Sequence, residues 1–91
     1  MTVFAVFYRP GPKWTEGVVR ENAARRQREY LQDAVRRGLV VQAGDLGDGE
    51  LLVMLDAPSA TAAHRFVTRD PSVAACVHQA TVREFEVEYG L

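Results

Sequence analysis

Residues 2–9, Thr-Val-Phe-Ala-Val-Phe-Tyr-Arg, constrain this chain more than any other stretch. They are β-branched and aromatic, apolar on both alternating faces until Arg9, and stopped by Pro10-Gly11-Pro12. Such a segment is a buried central strand, with neighbours along both edges and cover over both faces. A chain of 91 residues, nearly half of them apolar, can bury one core, so the expected organisation is a single domain over residues 1–91. Two helices cover only one face of so small a sheet. The second cover is therefore expected from another copy of the chain, in a homodimer.

The remaining elements follow from periodicity and local stop signals. The loop PGPKWTEG, rich in proline and glycine, is a lid or rim carrying an exposed Trp14. A helix is expected from about Val19 to Arg37, with Arg36 and Arg37 beside the negative end of its dipole and Gly38 as a left-handed cap. Its apolar stripe is Ala23, Tyr30, Leu31, Ala34 and Val35, and the gap in that stripe falls on Gln27. The outer face, with Arg20, Arg25, Arg26, Arg28, Glu29 and Asp33, reads as solvated, Glu29 pairing with Arg25 and Asp33 with Arg37.

Residues 39–56 read as a hairpin turned by Asp48-Gly49. Ser59 is the N-cap of a second helix over residues 60–69, whose stripe of Ala60, Ala63, Phe66 and Val67 faces the sheet and which yields at Asp70-Pro71. A short turn leads to a last strand from His78, in which Phe85, Val87 and Tyr89 alternate with Glu84, Glu86 and Glu88. Upstream, Ala80 and Val82 share the parity of the glutamates, so either a bulge intervenes or the first half is covered on the opposite face. The order βαββαβ predicts the α+β class: a ferredoxin-like antiparallel sheet with two helices on one face.

Charge and motifs exclude several functions. Eleven basic against twelve acidic residues leave no broad positive field for nucleic acid. No apolar run reaches the roughly 20 residues that span a bilayer, and the N-terminus lacks a basic n-region and a small-residue cleavage site, so no membrane partner and a cytoplasmic location are expected. The lone Cys76 reads as a small core or interface residue. His64 and His78 have no partner at metal-ligand spacing, no glycine-rich phosphate loop follows the first strand, and no nucleophile elbow occurs; neither metal nor cofactor is expected.

Two polar residues remain. Asp70, before a proline at a helix end, is ordinarily a turn former whose carboxylate accepts nearby backbone N–H groups. Gln27 is ordinarily a half-buried amide hydrogen-bonded to the sheet or to the loop after the first strand.

Arg9-Pro10-Gly11-Pro12 followed by Trp14, then Arg20-Glu21, Tyr30-Leu31, GLVVQAGD and RDPSVAACV, resemble the YciI-like (YCII-related) proteins over nearly the whole chain. These are small ferredoxin-like domains that form dimeric α+β barrels. The resemblance implies two sheets packed face to face in a homodimer. It also implies a pocket between helix and sheet, where members typically pair a first-helix histidine with the aspartate of the Asp-Pro. That histidine position is Gln27 here, and an amide neither takes nor gives a proton near neutral pH. The family's usual AGP is AGD, which puts Asp45 near the same pocket. The expected function is binding of a small organic molecule with a degenerate dyad, Gln27, Tyr8, Arg9, Trp14 and Asp45 lining the site. The alternative is a cofactor-free isomerase, lyase or dehydrochlorinase acting on a small aromatic or lactone-like substrate with Asp70 as base.

Overall fold

The computed structural model describes residues 2–90; Met1 and Leu91, the ends of the expected domain, lie outside them. In chain order the elements are β1 (Thr2–Pro10), α1 (Gly17–Arg36), β2 (Val40–Gly47), β3 (Glu50–Leu55), α2 (Ala60–Thr68), α3 (Pro71–Ala74) and β4 (His78–Glu86). The sheet order is β2-β3-β1-β4 and every adjacent pair is antiparallel. This is the ferredoxin-like α+β arrangement that the element order predicts, with β1 at an interior position.

Alternation along the strands divides the apolar residues between two faces. Phe4, Val6 and Tyr8 of β1, with Val53 and Leu55 of β3, join Ala34 of α1 and Ala63 and Val67 of α2 in one buried core. The other face carries Val3, Ala5 and Phe7, which pair with Phe85, Met54 and Leu52 respectively. Neighbours along the sheet bury Val3 and Ala5, but Phe7 and Phe85 stay exposed. With Val41, Met54 and Tyr89 nearby, this face holds an open apolar groove of about 380 Å³.

The phase change in β4 has a simple cause. Its pairing with β1 runs without a break from Pro10↔His78 to Thr2↔Glu86, so there is no bulge. Ala80 and Val82 pack against the helix-side core; Glu84 and Glu86, on the same side, reach solvent, and Phe85 lies on the open face. The bulges sit in β2 instead, between Val40 and Gln42 and between Asp45 and Gly47.

The helix ends follow their local chemistry. Gly38 has φ +75°, and the N–H groups of Gly38 and Leu39 donate to Val35 and Ala34 carbonyls at 3.0 and 2.9 Å, a Schellman closure of α1. Ser59 caps α2 by accepting from the Ala62 N–H at 3.1 Å. Some expected packing does not occur. Val35 and Ala60 turn out to solvent, because each lies one step around its helix from the stripe that meets the sheet. Asp33 pairs with Arg37 and Arg36 at 3.4 and 3.6 Å, whereas Glu29 makes no ion pair among the described residues. Cys76 is exposed at φ +61°, in the turn entering β4, and is not part of the core. No helix of the described residues is long and apolar enough to cross a membrane.

Candidate functional site

The site begins at Asp70. A residue before proline is driven out of the helical region, and Asp70 sits at φ −65°, ψ 125°, ending α2 and capping α3 with Pro71 in its first turn. Its Oδ1 accepts from the Ser72 N–H and from the Ser72 hydroxyl, each at 2.8 Å. Gln27, on α1 above, gives one amide hydrogen to Asp70 Oδ2 at 3.2 Å and the other to Ser72 Oγ at 2.7 Å. Every hydrogen of the Gln27 amide and the Ser72 hydroxyl is thereby committed. The carboxylate also settles the amide orientation, since only the NH₂ can face it. Asp70 and Ser72 are fully buried and Gln27 nearly so.

Two phenols border this network. The buried Tyr8 hydroxyl makes no well-formed hydrogen bond, and burial, reinforced by the nearby Asp70 carboxylate, holds its pKa far above the ordinary value of 10.0. Tyr30 donates to the Phe66 carbonyl at 2.7 Å; burial and then Asp70 raise its pKa too.

A cavity of about 170 Å³ opens beside Gln27, walled by Trp14, Asp45, Gly49, Glu50, Leu51 and His78. The loop after β1 forms its rim and is fastened down: Gly11 N–H donates to the Val77 carbonyl at 2.8 Å and Lys13 N–H to that of Cys76 at 2.9 Å. A side chain at position 11 would meet the Cys76 carbonyl at 2.7 Å, so glycine is required there. Trp14 is half-buried; its ring lies over the Gly49 Cα, 5.2 Å from the His78 ring, with the Arg20 guanidinium 5.0 Å from its centroid. The His78 Nε2 lies 3.0 Å from the Gly49 carbonyl, so that nitrogen carries hydrogen, while Nδ1 is buried without a partner. Asp45 Oδ1 accepts from the Gly47 N–H at 2.6 Å.

Gln27 and Asp70 are thus in contact, and Trp14 and Asp45 share the cavity wall with Gln27. Gln27 bonds to the start of α3 and not to the sheet or the loop, because the stripe gap lies over Asp70-Pro71-Ser72. Tyr8 lies beneath the site rather than at its mouth, and Arg9, one residue on, turns to the opposite sheet face, where it donates to Thr81 Oγ1 at 3.0 Å. Two participants were not singled out from the sequence. Ser72 was discernible as the acceptor-and-donor partner of an Asp-Pro turn. His78 was not, because only the Pro10↔His78 register and the fold of the hairpin tip bring it to the cavity. Among the described residues no group of three or more His, Cys, Asp or Glu is placed to hold a metal ion.

No family model matches this chain, and no curated protein does. Among solved structures it is similar to 5-chloro-2-hydroxyhydroquinone dehydrochlorinase (TftG) from Burkholderia phenoliruptrix AC1100, in its complex with 2,5-dihydroxybenzoquinone. The TM-score is 0.63 at 18% identity, over 96% of this chain and 95% of that one. At that identity the likeness is one of architecture, and it establishes that this chain has the ferredoxin-like α+β fold of that dehydrochlorinase.

Proposed function

We propose that this chain is a YciI-like small-molecule-binding domain whose ligand, a single ring bearing hydroxyl groups, occupies the cavity beside Gln27. The observation that carries this reading is the closed hydrogen-bond circuit at Asp70. With both oxygens engaged by Ser72 and Gln27 and no exposed surface, Asp70 is a poor candidate for a base acting on a substrate. The circuit instead leaves Gln27 one unused group, Oε1, an acceptor for a ligand.

The cavity chemistry supports the ligand class. Asp45 and Glu50 add carboxylates, and among the described residues neither lysine nor arginine lines the wall, so a ligand that donates hydrogen bonds is favoured over carboxylates or lactones. About 170 Å³ suits one ring, since a cavity of about 150 Å³ is known to admit benzene. The dehydrochlorinase of the same fold was solved with a dihydroxylated ring. Using Asp70 as base in a cofactor-free enzyme gains nothing from this geometry. We further propose that the apolar sheet face is covered by a second copy, giving a homodimer.

Trp14 is the single tryptophan, so its fluorescence reports the cavity directly. Titration with hydroquinone or 1,2,4-trihydroxybenzene is expected to quench it saturably, with at least about tenfold weaker binding in Gln27→Ala. Absence of saturation below about 10 mM, or equal binding of a lactone of the same size, overturns the assignment.

A further inference from the structure

A second groove lies between the end of α1, the connection from β3 to α2, and α2 itself, with a volume of about 210 Å³. We propose that it binds a small organic oxyanion, a carboxylate or phosphate monoester carried on an apolar body. This proposal is independent of the cavity beside Gln27.

The groove joins an apolar floor to a basic wall. Leu39, Leu55 and Phe66 supply the floor, and Arg37, Arg65 and Arg69 line it with a single carboxylate, Asp56. The floor is held in place, since Tyr30 donates to the Phe66 carbonyl at 2.7 Å and the two rings lie 4.9 Å apart. Arg37 is partly neutralised by Asp33 at 3.4 Å. Among the described residues no carboxylate lies within 4.0 Å of Arg65 or Arg69.

Arg65, in the last turn of α2, and Arg69, its C-cap residue, are four residues apart and both line the groove, so two like charges stand together at one helix end, where the dipole favours cations and a bound anion would relieve their mutual repulsion. Arg69 and Arg37 line the groove together with the Tyr30 and Phe66 rings, so their charge lies along the same floor. A guanidinium fork matches the paired oxygens of a carboxylate or phosphate, and the floor accepts the apolar remainder. The Gln27 cavity, lined by Asp45 and Glu50, repels the same molecules.

The test is an amide NMR titration of the full chain with benzoate and with phenyl phosphate, which separate a carboxylate from a phosphate ligand. Saturable shifts at Leu39, Phe66 and Arg69 are expected with at least one of them, without movement of the Gln27 and His78 signals. Binding should weaken at least about tenfold in Arg65→Gln/Arg69→Gln, whose exposed positions leave the fold intact, and should weaken with added salt. Arg65→Lys/Arg69→Lys, which keeps the charge but removes the fork, should fall between. Lack of saturation by about 20 mM with both anions overturns the proposal, as does equal binding of benzyl alcohol or unchanged affinity in the glutamine variant. Inorganic phosphate binding as tightly as phenyl phosphate would overturn the role of the apolar floor.

Discussion

Gln27 Nε2 lies 3.2 Å from Asp70 Oδ2, a buried bond that ties the middle of α1 to the cap of α3 across 43 residues of chain. It explains an amide in the gap of an apolar stripe. An apolar side chain there would leave the Asp70 carboxylate and the Ser72 hydroxyl short of a donor in a dry environment, and a buried charge tolerates that poorly.

Asp70→Ala should therefore destabilise the fold by about 2–4 kcal/mol, because it removes a helix cap and strands the Ser72 N–H and the Gln27 amide. Gln27→Met, which fills the space but donates nothing, should cost about 1–2 kcal/mol. Urea unfolding measures both; an Asp70→Ala loss below about 0.5 kcal/mol would show that the circuit is incidental.

Gln27→His places an imidazole against Asp70. The carboxylate favours the charged ring, so the folded-state pKa should rise above the unfolded value of about 6.5. The stability this pair contributes is then fully present below about pH 6.5 and is lost as pH rises through the raised folded pKa. Ring-proton NMR titration gives the pKa directly. A lowered value would mean that burial outweighs Asp70 at this position.

Gly49→Ala should collapse the cavity. An added Cβ would lie 2.5 Å from the Trp14 ring, and φ is +78°, so the tryptophan must move or the turn must strain. A loss of about 1–3 kcal/mol is expected, together with a red shift of the Trp14 emission. Unchanged emission would mean that the ring does not rest on the turn.

Alkaline titration should expose Tyr8. Its pKa is ordinary, near 10.0, in the unfolded chain and raised in the fold, so above that pH the unfolded state has lost a proton that the folded state keeps. Stability should fall as pH rises past 10.0, by up to about 1.4 kcal/mol per pH unit for this group. Tyr8→Phe should flatten the slope; an equal slope in the variant would assign it to Tyr30 or to another group.

Phe85 is 44% exposed on the open sheet face, beside the apolar groove. If a second copy covers that face, sedimentation of the native chain gives twice 10.1 kDa and Phe85→Arg returns it toward the monomer. A native monomer at micromolar concentration defeats the homodimer.

The order βαββαβ was legible in the sequence, but α3 was not: residues 71–74 read as a short turn, and they close into a helical turn where Asp70 caps the Ser72 N–H. An unbroken apolar run rich in β-branched and aromatic residues marks β1, the Asp48-Gly49 turn marks the hairpin, and Gly38 and Ser59 mark helix ends, because each depends on backbone preferences and hydrogen bonds within a few residues. Asp70 could likewise be read as a turn former from its proline alone. Tertiary structure decided the rest. Tyr8 and Arg9 are adjacent in sequence, yet the sheet sends one to the core and the other to the far face. Trp14, Gln27, Asp45 and His78 meet because strand register, a bulge in β2 and the path of the hairpin bring four distant segments to one wall. Side-chain spacing along the chain carries no record of that convergence, since it is set by long-range pairing and packing that exist only once the sheet has formed.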